Sequence, residues 1–214
     1  MKKILIIFLG IFSLLIINEG YCSIKQGEKN CFTDIENQIL NESKFDENGI
    51  KLEYYTNLSE IEEKDRINNL ILNKFGVDGV NKGNNINIKI KEIDLSTKIY
   101  SIDNKTKVEI ILLNKDGNVD IQDLLNIAEE IRGNKYTGTR IFQFIKCKVD
   151  YIEENVPKCV VENSKQDTIR SLEINNGRVS NIVMNDDENI NVAQVNYNSG
   201  SYLVIGTPTI FITY

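Results

Sequence analysis

The chain of 214 residues carries 25 Lys and Arg against 31 Asp and Glu, a formal net charge of −6, and has no histidine. Without imidazole there is no Ser-His-Asp or Cys-His machinery and no histidine zinc site, which excludes the commonest exported hydrolase designs but leaves lysine-based and paired-carboxylate chemistry open. An acidic chain is also a poor binder of polyanions, whose affinity comes from clustered Lys and Arg that release counterions.

In chain order, MKKILIIFLGIFSLLIINEGYCS has two lysines, then an uncharged, mostly apolar run from Ile4 to Ile17, then a short polar stretch with small residues. That is the pattern of a secretory signal peptide. The 14-residue run falls short of the roughly 20 residues that span a bilayer. Residues 1–23 are therefore expected to direct export, with cleavage after Cys22 or Ser23 and an uncleaved membrane anchor as the alternative. Tyr21 stands where a lipoprotein signal has a small residue, which argues against a lipid-modified Cys22. The remaining 191 residues hold 23 basic and 30 acidic side chains, enough chain to bury a core as one larger or two small domains. Their cysteines, Cys31, Cys147 and Cys159, are odd in number, which argues against a disulfide scaffold.

TDIENQIL contains Thr33-x-x-Glu36, a capping box that predicts a short helix with Ile35 and Ile39 one turn apart. GIKLEYY alternates as a strand from Gly49 to Tyr55. In NLSEIEEKDRINNLILNKFG, Ser59-x-x-Glu62 is a second capping box, Ile67, Leu70, Ile71 and Phe75 form an apolar stripe, and Gly76 suits a C-terminal cap. GVDGVNKGNN (76–85) lacks the G-x-x-x-x-G-K-[ST] pattern and reads as a flexible turn. Strands are predicted at 85–93, 97–102 and 105–113, where Ile86, Ile88 and Ile90 alternate with polar residues as in a sheet with one wet face.

From NKDGN onward the same order repeats. Asp120-x-x-Asp123 opens a helix with Ile121, Leu124, Leu125, Ala128 and Ile131 inward and Gly133 as its stop, and TRIFQFIKCKV follows as a strand. Alternation puts Ile141, Ile145, Cys147 and Val149 on one face, so Cys147 reads as a small buried hydrophobe, with a Cys147–Cys159 bridge as the alternative. A short helix is predicted near 167–172, then strands at 178–184, 189–197 and 201–214, the last split at Gly206-Thr207-Pro208. The expected fold is α+β: a duplicated helix-strand-helix-strands unit with mainly antiparallel sheets, its halves at 24–114 and 115–214. The final run is expected to be a sheet strand with Ile210 and Ile212 packed inward and Tyr214 ordered.

A GTP followed by alternating apolar residues and Tyr214, after an exported start, the GIKLEYY strand and the SEIEEKDRI helix, resembles the YwmB-like family of Firmicutes. That family is often labelled "TATA-box binding" because its fold is reminiscent of the duplicated saddle of the TATA-binding protein. The resemblance covers essentially the whole mature chain. It implies a two-part α+β fold and an envelope-associated protein of unknown role, with no catalytic residues to carry over, and Pro208 at a break or edge of the last strand.

Local clusters add no site. NKDGNVDIQDLL places Asn114, Asp116 and Gly117 as a calcium loop would, but Leu112 holds the obligatory first position and Asp123 replaces the bidentate Glu, so a turn and capped helix is the reading. Asp186-Asp187-Glu188 reads as a solvated hairpin turn, with a weak surface cation site as the alternative. Glu62-Glu63 and Glu129-Glu130 are helical neighbours that diverge. No catalytic, metal or cofactor residues are assigned. The expected function is an exported, non-catalytic envelope module that binds a protein or wall component, with Tyr54, Tyr55, Tyr197 and Tyr202 as candidate aromatic contacts. The alternative is a carboxylate-dependent hydrolase of wall glycan. No nucleic acid is expected as a partner, and membrane association only through an uncleaved signal.

Overall fold

A computed structural model describes residues 31–76, 80–134, 136–151, 156–165 and 167–212. The expected signal at 1–23 and the ordering of Tyr214 lie outside the described residues. The fold is α+β, with four helices among the described residues: α1 (Cys31–Glu42), α2 (Glu60–Phe75), α3 (Ile121–Arg132) and α4 (Lys158–Glu162). Local chemistry fixes two of them. The Ser59 hydroxyl accepts from the Glu62 N–H while the Glu62 carboxylate accepts from the Ser59 N–H, and Gly76 closes α2 in the left-handed conformation at φ 65°. Asp120 caps α3 by accepting from the Asp123 N–H.

Among the described residues ten strands, β1 (Lys44–Thr56), β2 (Val80–Lys82), β3 (Asn85–Ile90), β4 (Ile93–Ile102), β5 (Lys105–Asn114), β6 (Thr137–Val149), β7 (Arg170–Ile174), β8 (Gly177–Val183), β9 (Asn189–Tyr197) and β10 (Gly200–Thr207), form one sheet. Their order is β2-β3-β4-β5-β1-β6-β10-β9-β8-β7, and every pairing is antiparallel. Read from either edge, a four-strand meander closes on a 13-residue strand that precedes it in sequence, and these two long strands, β1 and β6, pair at the centre with Ile50 opposite Gln143. Asp103 and Asn104, both at positive φ, make the two-residue turn between β4 and β5 that an antiparallel meander requires.

The helices lie on one side. Phe32, Ile35 and Ile39 of α1, Ile67 and Ile71 of α2, the five inward residues of α3 and Val160 of α4 share one core with Ile50, Leu52 and Tyr54 of β1, Val108, Ile110 and Leu112 of β5, and Leu203 and Ile205 of β10. Because strand side chains alternate, the residues between these point away from the helix layer.

Four expectations are corrected. Helix α1 begins at Cys31, which places Thr33 inside it, and the Glu36 carboxylate turns to other partners described below, so no capping box forms there. Residues 80–82 form an edge strand beside β3 within the segment read as a flexible turn. Residues 170–174 are strand β7 where a helix was expected over 167–172, since cross-strand pairing with β8 supplies bonds that a five-residue helix cannot match. Finally, the last strand stops at Thr207. The Thr207–Pro208 bond is cis, proline has no N–H for the ladder, and the described residues 209–212 belong to no strand.

Candidate functional site

The face of the sheet away from the helices is divided by chemistry. Over β1, β4 and β5 it is charged. Glu53 and Glu109 lie directly opposite each other, a destabilising arrangement unless cations intervene. Lys107 supplies one, with Nζ 3.1 Å from Glu53 and 3.2 Å from Glu109; Lys51 supplies a second, 2.5 Å from Glu53 and 3.9 Å from Glu109. The Tyr100 hydroxyl donates to Glu109 at 2.5 Å. Partial burial opposes charge on Glu109, but Tyr100, Lys51 and Lys107 outweigh it and hold the carboxyl below its usual range. Burial likewise opposes charge on Lys107, and Glu53, Tyr100 and Glu109 hold its ammonium above its usual range. Both groups therefore stay ionised at neutral pH and neutralise one another, the reverse of the raised carboxyl a general acid needs.

Over β6, β9 and β10 the same face is apolar. Phe144, Ala193, Val195, Tyr202 and Val204 form a second buried cluster, flanked by Leu113, Val179 and Tyr197. One row across the sheet runs Leu113, Gly49, Phe144, Gly206, Asn191, so a glycine lies on each side of Phe144. A Cβ on Gly49 would lie 2.5 Å from Phe144 Cε1, and one on Gly206 would lie 2.9 Å from Ile210 Cγ1. These glycines are depressions: one takes the Phe144 ring, the other takes Ile210. After Thr207 the chain turns back across this floor. Phe211 meets Phe144 edge to face at 5.1 Å and Phe142 at 6.5 Å, and Asn191 donates to the Pro208 carbonyl at 2.6 Å.

Polar groups on the helix side serve the fold. Glu36, 1% exposed, accepts from Asn48 Nδ2 at 3.2 Å and from the Ile121 N–H at 3.4 Å, while Asn114 donates to Asn48 Oδ1 at 2.8 Å. This network ties β1 and β5 to the start of α3. Burial pushes the Glu36 carboxyl up to about 7 from 4.5, with Asn48 and Ile121 pulling down and Asp120 adding to the rise. A raised carboxyl pKa favours the fold fully below the unfolded value and loses that contribution as pH rises through the folded value. We expect the wild type to lose up to about 3 kcal/mol between pH 4.5 and 8, relative to Glu36→Gln. Urea unfolding of both proteins at pH 5, 6, 7 and 8 checks this, and parallel profiles would refute it.

The residues singled out from sequence do not converge. Cys147 is a free thiol buried in the helix-side core, where burial pushes it up to about 11, and Cys159 sits half-buried on α4. Tyr54 lies in the core and donates to Glu63, while the Tyr197 and Tyr202 rings meet at 5.7 Å, tilted by 59°, on the apolar half of the open face, with Lys146 4.6 Å above the Tyr202 ring. Tyr55 is half-buried beside the charged half. Asp186 accepts from the Glu188 N–H in the β8–β9 turn and Asp187 pairs with Lys165. Asp116 accepts from Asn118, and Asn114 faces Asn48. Glu62 and Glu63 diverge, one to Ser59 and one to Arg66, and Glu129 and Glu130 go separately to Arg132 and Lys74. No group of three or more His, Cys, Asp or Glu suited to a metal ion occurs among the described residues. The charged array on β1 and β5 was missed: its signal is the alternation Lys51, Glu53 and Lys107, Glu109, which acquires meaning only once the register sets the two pairs side by side. A scan against protein-family models and a search of curated proteins each find no match to this chain.

Proposed function

We propose that the chain is an exported, non-catalytic module of the cell envelope that holds a protein or a wall component on the open face of its sheet. The two halves are read as the sides of a saddle like that of the TATA-binding protein, with this face as its inner surface. One observation carries the reading: four helices cover one side of the sheet while the central strands β1, β5, β6 and β10 present ordered charged and aromatic side chains on the other. Likeness of fold does not carry function with it. Nucleic acid suits the chain poorly, because its net charge is −6 and Lys51 and Lys107 on this face are already paired with Glu53 and Glu109.

A photo-crosslinker tests the reading. Placed at Tyr55 on the open face, it should capture one envelope component that a crosslinker at Ile61, 73% exposed on α2, does not. Equal capture from both positions would overturn the proposal. So would salt-sensitive binding of duplex DNA tighter than about micromolar.

A further inference from the structure

We propose that the apolar half of the open face is a groove for an extended peptide with an Ile-Phe-Ile-like run, and that residues 208–212 are its resident occupant, which a partner segment displaces. The proposal rests on the open-face reading and adds the chemistry of the ligand. The seated strap shows what fits. Gly206 leaves a depression filled by Ile210, whose Cγ1 and Cα lie within 2.9 and 3.1 Å of where a Cβ would stand, and Phe142 and Phe144 present their rings to Phe211 at near-perpendicular angles of 71° and 84°. Such edge-to-face contacts select an aromatic side chain over an aliphatic one.

The strap is held differently from everything beneath it. The ladder between β10 and β6 ends at Thr207 opposite Gln143, and among the described residues no backbone–backbone hydrogen bond joins residues 208–212 to the sheet. Its hold is the side-chain bond from Asn191 to the Pro208 carbonyl plus the packing of Ile210, Phe211 and Ile212 on the apolar cluster. A segment without ladder bonds detaches at lower cost than a strand, so local opening falls here before the sheet itself gives way. Once it lifts, the fully buried Phe144 loses the ring that covers it until another apolar segment takes its place. The tethered strap competes at an effective concentration in the millimolar range, so the groove is closed to weak or mismatched peptides and open to a better-fitting one.

The test uses a fluorescein-labelled peptide of sequence PTIFITY, identical to residues 208–214, with binding read by anisotropy. Protein lacking residues 209–214 should bind it, and the full chain should bind at least about ten-fold more weakly because its own strap competes. The same peptide carrying Phe211→Ala should lose about ten-fold or more in affinity. Equal binding by the full chain and the shortened one, or equal binding of both peptides, would overturn the proposal. If the shortened protein does not fold, the full chain carrying Phe211→Ala and Ile210→Ser keeps a loosened strap in place, and failure of that variant to gain binding has the same force. A dimer of the full chain that dissociates when residues 209–214 are removed would also overturn it, since the occupant would then be a second copy's strap. Peptide binding without site-selective crosslinking at Tyr55 would leave the groove standing and sink the envelope-component reading alone.

Discussion

Gly49→Val should lower the thermal midpoint by about 10 °C or more, at a cost of about 3 kcal/mol or above. Gly49 lies in β1, paired with Leu113 of β5 on one side and Phe144 of β6 on the other. A Cβ there would stand 2.5 Å from Phe144 Cε1, 2.7 Å from the Leu112 carbonyl oxygen and 3.0 Å from Leu113 Cδ2. The ring can turn and Leu113 can change rotamer. The Leu112 carbonyl cannot retreat without pulling β5 off β1, and valine adds two methyls that meet the Phe144 ring. Phe144→Ala in the same chain should therefore restore only part of the loss. Gly117→Ala serves as a control, because its nearest atom is Phe45 Cδ1 at 3.6 Å, ordinary contact. Thermal unfolding followed by circular dichroism decides the matter: a Gly49→Val midpoint within about 2 °C of wild type would show that the strand spacing relaxes.

Arg66→Ala should be comparably severe, by about 3–5 kcal/mol, because it strands a buried carboxylate. Glu63 is 1% exposed and receives Arg66 Nε at 2.8 Å and Nη2 at 2.7 Å, along with the Tyr54 hydroxyl at 2.5 Å. The same Nη2 donates to the carbonyls of Ile131 and Arg132 at 2.8 and 3.2 Å, so one guanidinium neutralises Glu63 and caps the C-terminal end of α3. The hydrogen bond to Glu63 raises the Arg66 pKa despite partial burial, and burial followed by the Glu63 carboxylate raises that of Tyr54. Arg66→Lys keeps the charge without the planar fork and should recover less than half of the loss. Tyr54→Phe removes a single donor and should cost about 1–2 kcal/mol. Urea unfolding at pH 7 resolves the series, and an Arg66→Ala loss no larger than that of Tyr54→Phe would contradict this account.

Elements with a complete local signal were legible in the sequence. Ser59, Glu62 and Gly76 bracket α2 because both caps are made by neighbouring residues, and Ile121, Leu124, Leu125, Ala128 and Ile131 are all buried as their spacing requires. Strand β9 coincides with NINVAQVNY. What failed depends on distant partners. Glu36 looked like the acid of a capping box, yet it answers to Asn48 and Ile121, which no local pattern contains. Strand β1 extends back to Lys44 because Cys147 and Lys148 pair there across a bulge, although SKFDEN has no strand periodicity. The run after Pro208 has the composition of a strand and the place of one, but it packs by side chains on the face of its neighbours. In the same way, the open face could not be read from charge content: Glu53 and Glu109 lie far apart in sequence and meet only through the register of β5 on β1.

The strand order also bears on solubility. An open sheet exposes two rows of unpaired N–H and C=O groups, each a template for another chain. Here the two 13-residue strands are at the centre, bonded on both sides, and among the described residues the edges fall to β2, with three residues, and β7, with five. A foreign strand would gain only a few hydrogen bonds at either margin, and at β7 it would also meet the exposed Arg170 and Glu173. Placing its longest strands innermost thus lets a ten-stranded sheet stay open without growing into a fibre.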